Sequence, residues 1–181
     1  MPGDKRVRYT RLFLRESLIE LLKLKPIARI TVKELCEKAA INRATYYSHY
    51  SDPSDQLRKI EAEFMEGISS YLDSHSLSGS GNSYLSAVTK IMEYIEENRE
   101  LCRVLLGGNG DADFQQEIME FLRQRVFDAW SSAIPDREYA YTFVATGSIG
   151  VARKWLFKES ERETPEEIAS IIVRLVNEGI A

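Results

Sequence analysis

Cysteine and histidine are scarce: two of each in 181 residues. Cys36 and Cys102 stand far apart and form no metal or redox motif. Both fall in helix-like apolar surroundings and read as buried free thiols. Neither His49 nor His75 has Cys, Asp or Glu around it at ligand spacing, so no metal site and no cofactor is expected. No apolar run reaches about 18 residues, so no membrane span is expected. The opening stretch MPGDKRVRYTR lacks the apolar core of a secretory signal, and together with the thiols this suggests a reducing cytoplasm. There is no Gly-x-Ser-x-Gly. The glycine-rich GGNGD, 107–111, follows no strand and precedes no Gly-Lys-Ser/Thr, so it reads as a helix connection and not as a phosphate cradle. A small all-α hydrolase or lyase would need paired titratable groups in its pocket, and the body helices offer mainly aromatics and aliphatics. The chain is therefore not expected to be an enzyme.

No internal repeat and no convincing β-alternation is present either. What remains is helical periodicity in a chain that is 44% hydrophobic and 29% charged, ordinary for a globular protein. The first helix is expected over about 6–24, with Leu12, Phe13, Leu18, Ile19, Leu21 and Leu22 as its apolar stripe and Pro26 behind its end. Thr31 and Glu34 form a capping-box signature at the start of a second helix, with Val32, Leu35, Cys36 and Ala39 facing a core. Asn42 is a suitable N-cap for a third helix over about 43–50. After the turn Ser51-Asp52-Pro53-Ser54 a long helix covers about 54–73. The segment 74–82 reads as a loop. Further helices are expected over about 83–98, 99–106, 112–132 and 137–158, with Pro135 as an interruption. The helix over 137–158 is apolar nearly all round between Tyr139 and Ala152, which predicts burial on more than one side. Thr164-Pro165-Glu166-Glu167 opens the last helix, which runs to about 178. The fold class is all-α, with about nine helices.

The net charge of −4 hides an asymmetry. Residues 1–60 hold 13 Lys+Arg against 7 Asp+Glu, a balance of +6, and residues 61–181 hold 11 against 21, a balance of −10. A basic head on an acidic body points to a polyanion meeting the head alone. Helix, short turn, helix is the plan that places a second helix in the DNA major groove. On a helical wheel for 43–50, Tyr46 and Tyr50 share the inward face, and Ala44, Thr45 and Ser48 lie opposite. Ala44 lets the backbone approach closely, and Thr45 and Ser48 can donate, accept or offer a methyl to base edges. Tyr47 and His49 flank that face as phosphate contacts, and Arg43 at the helix start suits either role.

The stretch ITVKELCEKAAINRATYYSHYSDPSDQL resembles the DNA-binding head of the TetR family of bacterial repressors, over about residues 8–60. Thr31, Arg43, Ala44, Thr45, Tyr46, Tyr47, His49 and Tyr50 stand at the positions of that family's pattern. The stretches GVARKWL, 150–156, and TPEEI, 164–168, resemble the last two helices of some members. The resemblance implies a helix-turn-helix domain over 1–52 and an effector-binding and dimerisation bundle over 53–181. It also implies a homodimer that binds a double-stranded DNA operator, and a DNA-contacting set of Thr31, Asn42, Arg43, Ala44, Thr45, Tyr47, Ser48, His49 and Lys59. Two departures stand out. Ala40 replaces the usual turn glycine, which is tolerable if its backbone stays right-handed. Pro53 replaces the lysine that usually opens the fourth helix, and Lys59 or arginines of the first helix are candidates to make up for it.

Phe64, Tyr84, Tyr94, Phe121, Trp130 and Phe143 are candidates for lining a pocket for a small apolar or aromatic effector, or for ordinary core. Gly147 and Gly150 permit close helix approach. Together with Ile171, Ile172 and Leu175 they are the candidate dimer interface. A body that binds a protein partner is the alternative, compatible with the acidic charge and the glycine-rich 107–111 loop; the small apolar effector is the favoured reading.

Overall fold

A computed structural model describes residues 2–74, 83–107, 112–124 and 136–178. Nine α-helices and one 3-10 turn make up the described residues, with no strand among them: α1 Pro2–Leu22, the turn Ile27–Arg29, α2 Val32–Ala39, α3 Arg43–Tyr47, α4 Pro53–Ser74, α5 Ser83–Glu97, α6 Arg99–Leu105, α7 Ala112–Leu122, α8 Arg137–Phe157 and α9 Pro165–Glu178. No described helix is long and apolar enough to cross a membrane. Packing divides the chain into two units, residues 1–65 with 104–111, and residues 66–103 with 112–181. The division falls inside α4.

In the first unit, α1 packs on α2 and α2 on α3. The buried stripe of α1 is Leu14, Leu18 and Leu22, at 0%, 0% and 2% exposure, whereas Leu12 and Phe13 are 45% and 48% exposed. The expected stripe was therefore set on the wrong side at its start. Apolar residues occur on two opposite faces of α1, and only one of them repeats every fourth residue toward the neighbouring helices. α2 begins as its capping box predicts: Glu34 N–H donates to Thr31 Oγ1 at 3.3 Å, and Thr31 N–H donates to Glu34 Oε2 at 3.0 Å. Leu35, Cys36 and Ala39 face the core. Val32 stays partly exposed.

The end of α2 differs from expectation. Ala40 takes φ 53° and ψ 42°, the left-handed region, so the condition of a right-handed backbone is not met. The reason lies in the hydrogen bonds that this conformation allows. Ile41 N–H reaches back to Cys36 O at 2.9 Å and Ala40 N–H to Glu37 O at 3.4 Å, which closes the last turn in the manner of a Schellman end. A side chain with a β-carbon is tolerated there at a cost of about 1–2 kcal/mol.

In the second unit, α5 packs extensively on α9, α8 packs on α9, and α7 on α8. Thr164 and Glu167 cap α9 reciprocally, at 2.8 and 3.2 Å, as TPEE predicts. The buried Trp155 donates its indole N–H to Glu163 O at 2.7 Å. Arg99 donates to Leu156 O and Lys158 O at the end of α8, at 2.8 and 3.1 Å. α7 is helical over Ala112–Leu122, and the rest of the helix expected to 132 lies outside the described residues apart from 123–124. The loop expected at 74–82 and most of GGNGD lie outside them too.

α8 packs on both α7 and α9, and part of its surface stays uncovered within one chain. Tyr139 and Phe143 are 79% and 75% exposed, so within one chain the helix is not buried all round. One side rests on α7 and α9, and the side carrying these rings is open.

Candidate nucleic-acid interface

α3 is one and a half turns long, and its neighbours hold it in place. Asn42 caps it, with Thr45 N–H donating to Asn42 Oδ1 at 2.8 Å. Tyr46 is fully buried and Tyr50 is 5% exposed, the two rings 5.7 Å apart. Burial, and after it the Asp52 carboxylate, push the Tyr46 hydroxyl pKa up. Tyr47 stands edge-on to Tyr46 at 5.6 Å and is 57% exposed. Thus the tyrosine pair at i and i+4 is structural, and the tyrosine between them is presented outward.

Arg43, Ala44, Tyr47 and Ser48 are exposed, and Thr45 and His49 are half-buried. Ser48 Oγ donates to Thr45 O at 2.7 Å, which fixes its hydroxyl and leaves its lone pairs outward as acceptors. Thr31 and Asn42 are exposed, but their side-chain oxygens are engaged as caps. Their part in presenting α3 is therefore structural, whatever else they touch. The sequence singled out nine residues for DNA; Arg43, Ala44, Thr45, Tyr47, Ser48 and His49 lie within one stretch of seven.

Lys59 is placed differently from its neighbours. Its ammonium donates to His49 O and Asp55 Oδ2, both at 3.0 Å, and lies 5.3 Å from the Tyr50 ring centroid. It braces the end of the recognition segment against α4. Asp52 and Asp55 complete this brace. Asp55 N–H donates to Asp52 Oδ1 at 2.8 Å, and Ser51 N–H donates to Asp55 Oδ2 at 2.9 Å. Backbone and Lys59 bonds hold the Asp55 carboxyl below its ordinary pKa. Pro53 occupies the first position of α4, where its missing N–H is no loss. Further along, the fully buried Gln56 donates to Leu14 O at 2.7 Å, tying α4 to α1. Sequence reasoning missed Asp52, Asp55 and Gln56 as supports. Asp-Pro-x-Asp was a readable capping signal for the first two, and nothing local marks the third.

Arg8, Arg11 and Arg15 of α1 line a cleft of about 440 Å³ with Leu12, Tyr50, Ile60 and Glu63. Arg11 is paired with Glu63. The arginines of the first helix are thus gathered on one side, beside the end of the recognition segment.

The candidate effector residues fall in both packing units. Phe64 is buried in the first unit. Tyr84, Tyr94 and Phe121 are half-buried in the second. Phe143 is on the open side of α8, and Trp130 lies outside the described residues. The candidate interface residues fall on α8 and α9. Phe143, Gly147, Val151, Ile172, Leu175 and Val176 are among the residues that line an apolar cleft of about 330 Å³. Ile172 is 2% exposed, Ile171 and Leu175 are half-buried, and a β-carbon added to Gly147 or Gly150 would meet nothing within 4 Å. Among the described residues no group of His, Cys, Asp or Glu is arranged to hold a metal ion.

Comparison with known proteins agrees with this architecture. A TetR-type regulator from Streptococcus agalactiae 2603V superimposes with a TM-score of 0.71 at 19% identity, over 97% of this chain and 98% of that one. A TetR-family regulator from Rhodococcus RHA1 gives 0.65 at 18% identity, over 95% and 97%. The dihydroxyacetone kinase operon activator DhaS gives 0.58 at 17%, over 92% and 93%. At such identities the likeness is one of fold. An uncharacterised helix-turn-helix-type regulator of Bacillus subtilis strain 168, YxbF, is 25% identical over 114 residues, which are 59% of this chain and 29% of that protein's length. Residues 82–178, more than half of the chain, match the TetR-type family described as the transcriptional regulator C-terminal region. With an all-α fold, a capped helix-turn-helix and this match, the chain belongs to the TetR family of transcriptional regulators.

Proposed function

We propose that the chain is a sequence-specific DNA-binding regulator that works in the cytoplasm as a homodimer, represses by occupying its operator, and releases it when a small apolar or aromatic effector binds the body. The observation that carries the reading is α3: a short helix, capped and braced, that turns Arg43, Ala44, Tyr47 and Ser48 outward while burying Tyr46 and Tyr50. A core helix has no use for such a face, and a merely solvated one has no use for so rigid a support. In this reading the base-reading domain ends at residue 52, and residues 53–181 transmit, dimerise and sense. With Lys59 engaged as a brace, phosphate contacts opposite Pro53 fall to Arg8 and Arg15 of α1. The open side of α8 is the dimer face.

The test starts from a duplex selected by the protein from a random-sequence pool. It is then titrated against that duplex and a scrambled one at several salt concentrations. Tyr47→Phe is expected to weaken both by about 0.5–1.5 kcal/mol, the net worth of one hydrogen bond. Thr45→Ala is expected to relax preference at one or two positions per half-site while sparing the scrambled duplex. Replacing Arg43 with Gln is expected to lower the salt slope by about one if it holds a phosphate. Failure to select any sequence would remove this reading. Repression is read separately, as reporter output that falls when the protein is present.

A further inference from the structure

Gly67 stands in the second half of α4, two residues beyond the point where the packing units divide. A β-carbon placed there would lie 2.1 Å from Tyr94 Oη and 3.1 Å from Tyr94 Cζ. The phenol of Tyr94 on α5 thus rests on the bare backbone of α4, a seat that only glycine leaves open. The phenol is held in that seat from the side. Its ring lies 5.6 Å from that of Tyr71, whose hydroxyl donates to Glu93 Oε2 at 3.0 Å. Lys90 in turn donates to Glu93 Oε2 at 2.7 Å. Glycine in the interior of a helix is otherwise a loss relative to alanine, so the seat is what offsets it.

α4 is one continuous helix, and its first half is fixed in the head by Gln56, Leu57 and Ile60. At Gly67 its second half meets the Tyr94 phenol of α5. We propose that Tyr94 is a positioning residue: its hydroxyl, seated on Gly67, holds α4 in the register in which the head binds DNA. This rests on the DNA-binding reading above. It adds to it the contact through which the body governs the head. Nothing about Tyr94 requires that it touch DNA or effector.

The shape of the contact supplies its own control. Gly67→Ala pushes a methyl into the hydroxyl oxygen. Tyr94→Phe removes that oxygen and leaves the nearest ring atom at 3.1 Å, close enough to be absorbed by a small shift. Four full-length proteins are compared: wild type, Gly67→Ala, Tyr94→Phe and the double variant. They are read by hydrogen–deuterium exchange over residues 53–65 and by affinity for the duplex that the wild type selects. Gly67→Ala is expected to raise exchange over 53–65 and to weaken duplex binding 5- to 50-fold, with helical circular dichroism unchanged. The double variant is expected to regain most of both. If alanine acts only through helix propensity, Gly67→Ala melts higher, binds as wild type and needs no rescue, and the proposal is overturned. A double variant as impaired as Gly67→Ala also overturns it. Should Gly67→Ala fail to fold, Tyr94→Ala empties the seat without a clash; duplex affinity within twofold of wild type would then refute the role. If no duplex is selected at all, the DNA-binding reading fails, while exchange over 53–65 still decides whether Tyr94 positions α4.

Discussion

Side chains at the turn between α2 and α3 fix where α3 starts, and one of them is under strain. Ala40 is left-handed at φ 53°, a conformation that costs an L-residue about 1–2 kcal/mol and glycine little. Ala40→Gly is expected to stabilise the protein by about 1 kcal/mol, allowing for the added freedom of glycine in the unfolded chain. For a chain of this size that is a rise of about 2–4 °C in melting temperature, checked by calorimetry. An unchanged or lowered melting point would mean that the turn relaxes out of the left-handed region. The sequence showed that the family's glycine was missing here. It did not show that the backbone would keep the glycine conformation without the glycine, because that outcome depends on bonds from Ile41 and Ala40 back to α2. The roles of Tyr46 and Tyr50, by contrast, followed from their four-residue spacing alone. For Lys59 the charge was legible, but its contacts with Tyr50, His49 and Asp55 are visible only in three dimensions.

Caps and hydrophobic repeat decide the elements, and the two signals differ in how well they read. The capping boxes at Thr31 and Thr164 each use four consecutive residues, so their geometry is fully encoded locally. The stripe of α1 is not, since Leu12 and Phe13 are as apolar as Leu14 and only packing against α2 and α4 selects between the faces. The α2 cap also carries a pH signature. The Lys25 ammonium first, and the Thr31 hydroxyl and N–H after it, bring the Glu34 pKa down to about 2. A carboxyl whose folded pKa lies below its unfolded one contributes stability that is complete above about pH 4.5 and is lost as the pH falls toward 2. Acidification through that window is therefore expected to loosen the start of α2 and, with it, the presentation of α3. Glu34→Gln keeps the shape but removes the charge, so its amide exchange over residues 31–36 should be less dependent on pH between 4.5 and 2. If wild type and Glu34→Gln respond to acid identically, the cap owes nothing to ionised Glu34.

At the scale of the molecule, the open side of α8 is the feature that one chain leaves unresolved. The sequence predicts burial of this helix on more than one side; within the single chain it packs on α7 and α9 and leaves another side exposed. Tyr139 and Phe143 remain 79% and 75% exposed, beside an apolar cleft of about 330 Å³. Exposed aromatic area of this kind is stabilised when a second surface covers it. A second copy of the same chain does so with the same patch on both sides, an isologous contact. A standard interface of this kind would bury roughly 1,600 Å² in total. Sedimentation at micromolar concentration is therefore expected to give about twice the chain mass of 20.7 kDa. The glycines then separate an interface from an unused surface. A β-carbon at Gly147 or Gly150 meets nothing within 4 Å in the single chain, so alanine fits the monomer at either position. Alanine in a helix interior would even favour it by about 1 kcal/mol. Gly147→Leu places a branched side chain where a second copy would pack. It is expected to shift sedimentation toward the monomer while helical content is kept, and Phe143→Asp is expected to do the same by placing a charge in the apolar contact. A Gly147→Leu protein that sediments as wild type would place the contact elsewhere. A wild type that sediments as a monomer would leave the open side of α8 to a different partner.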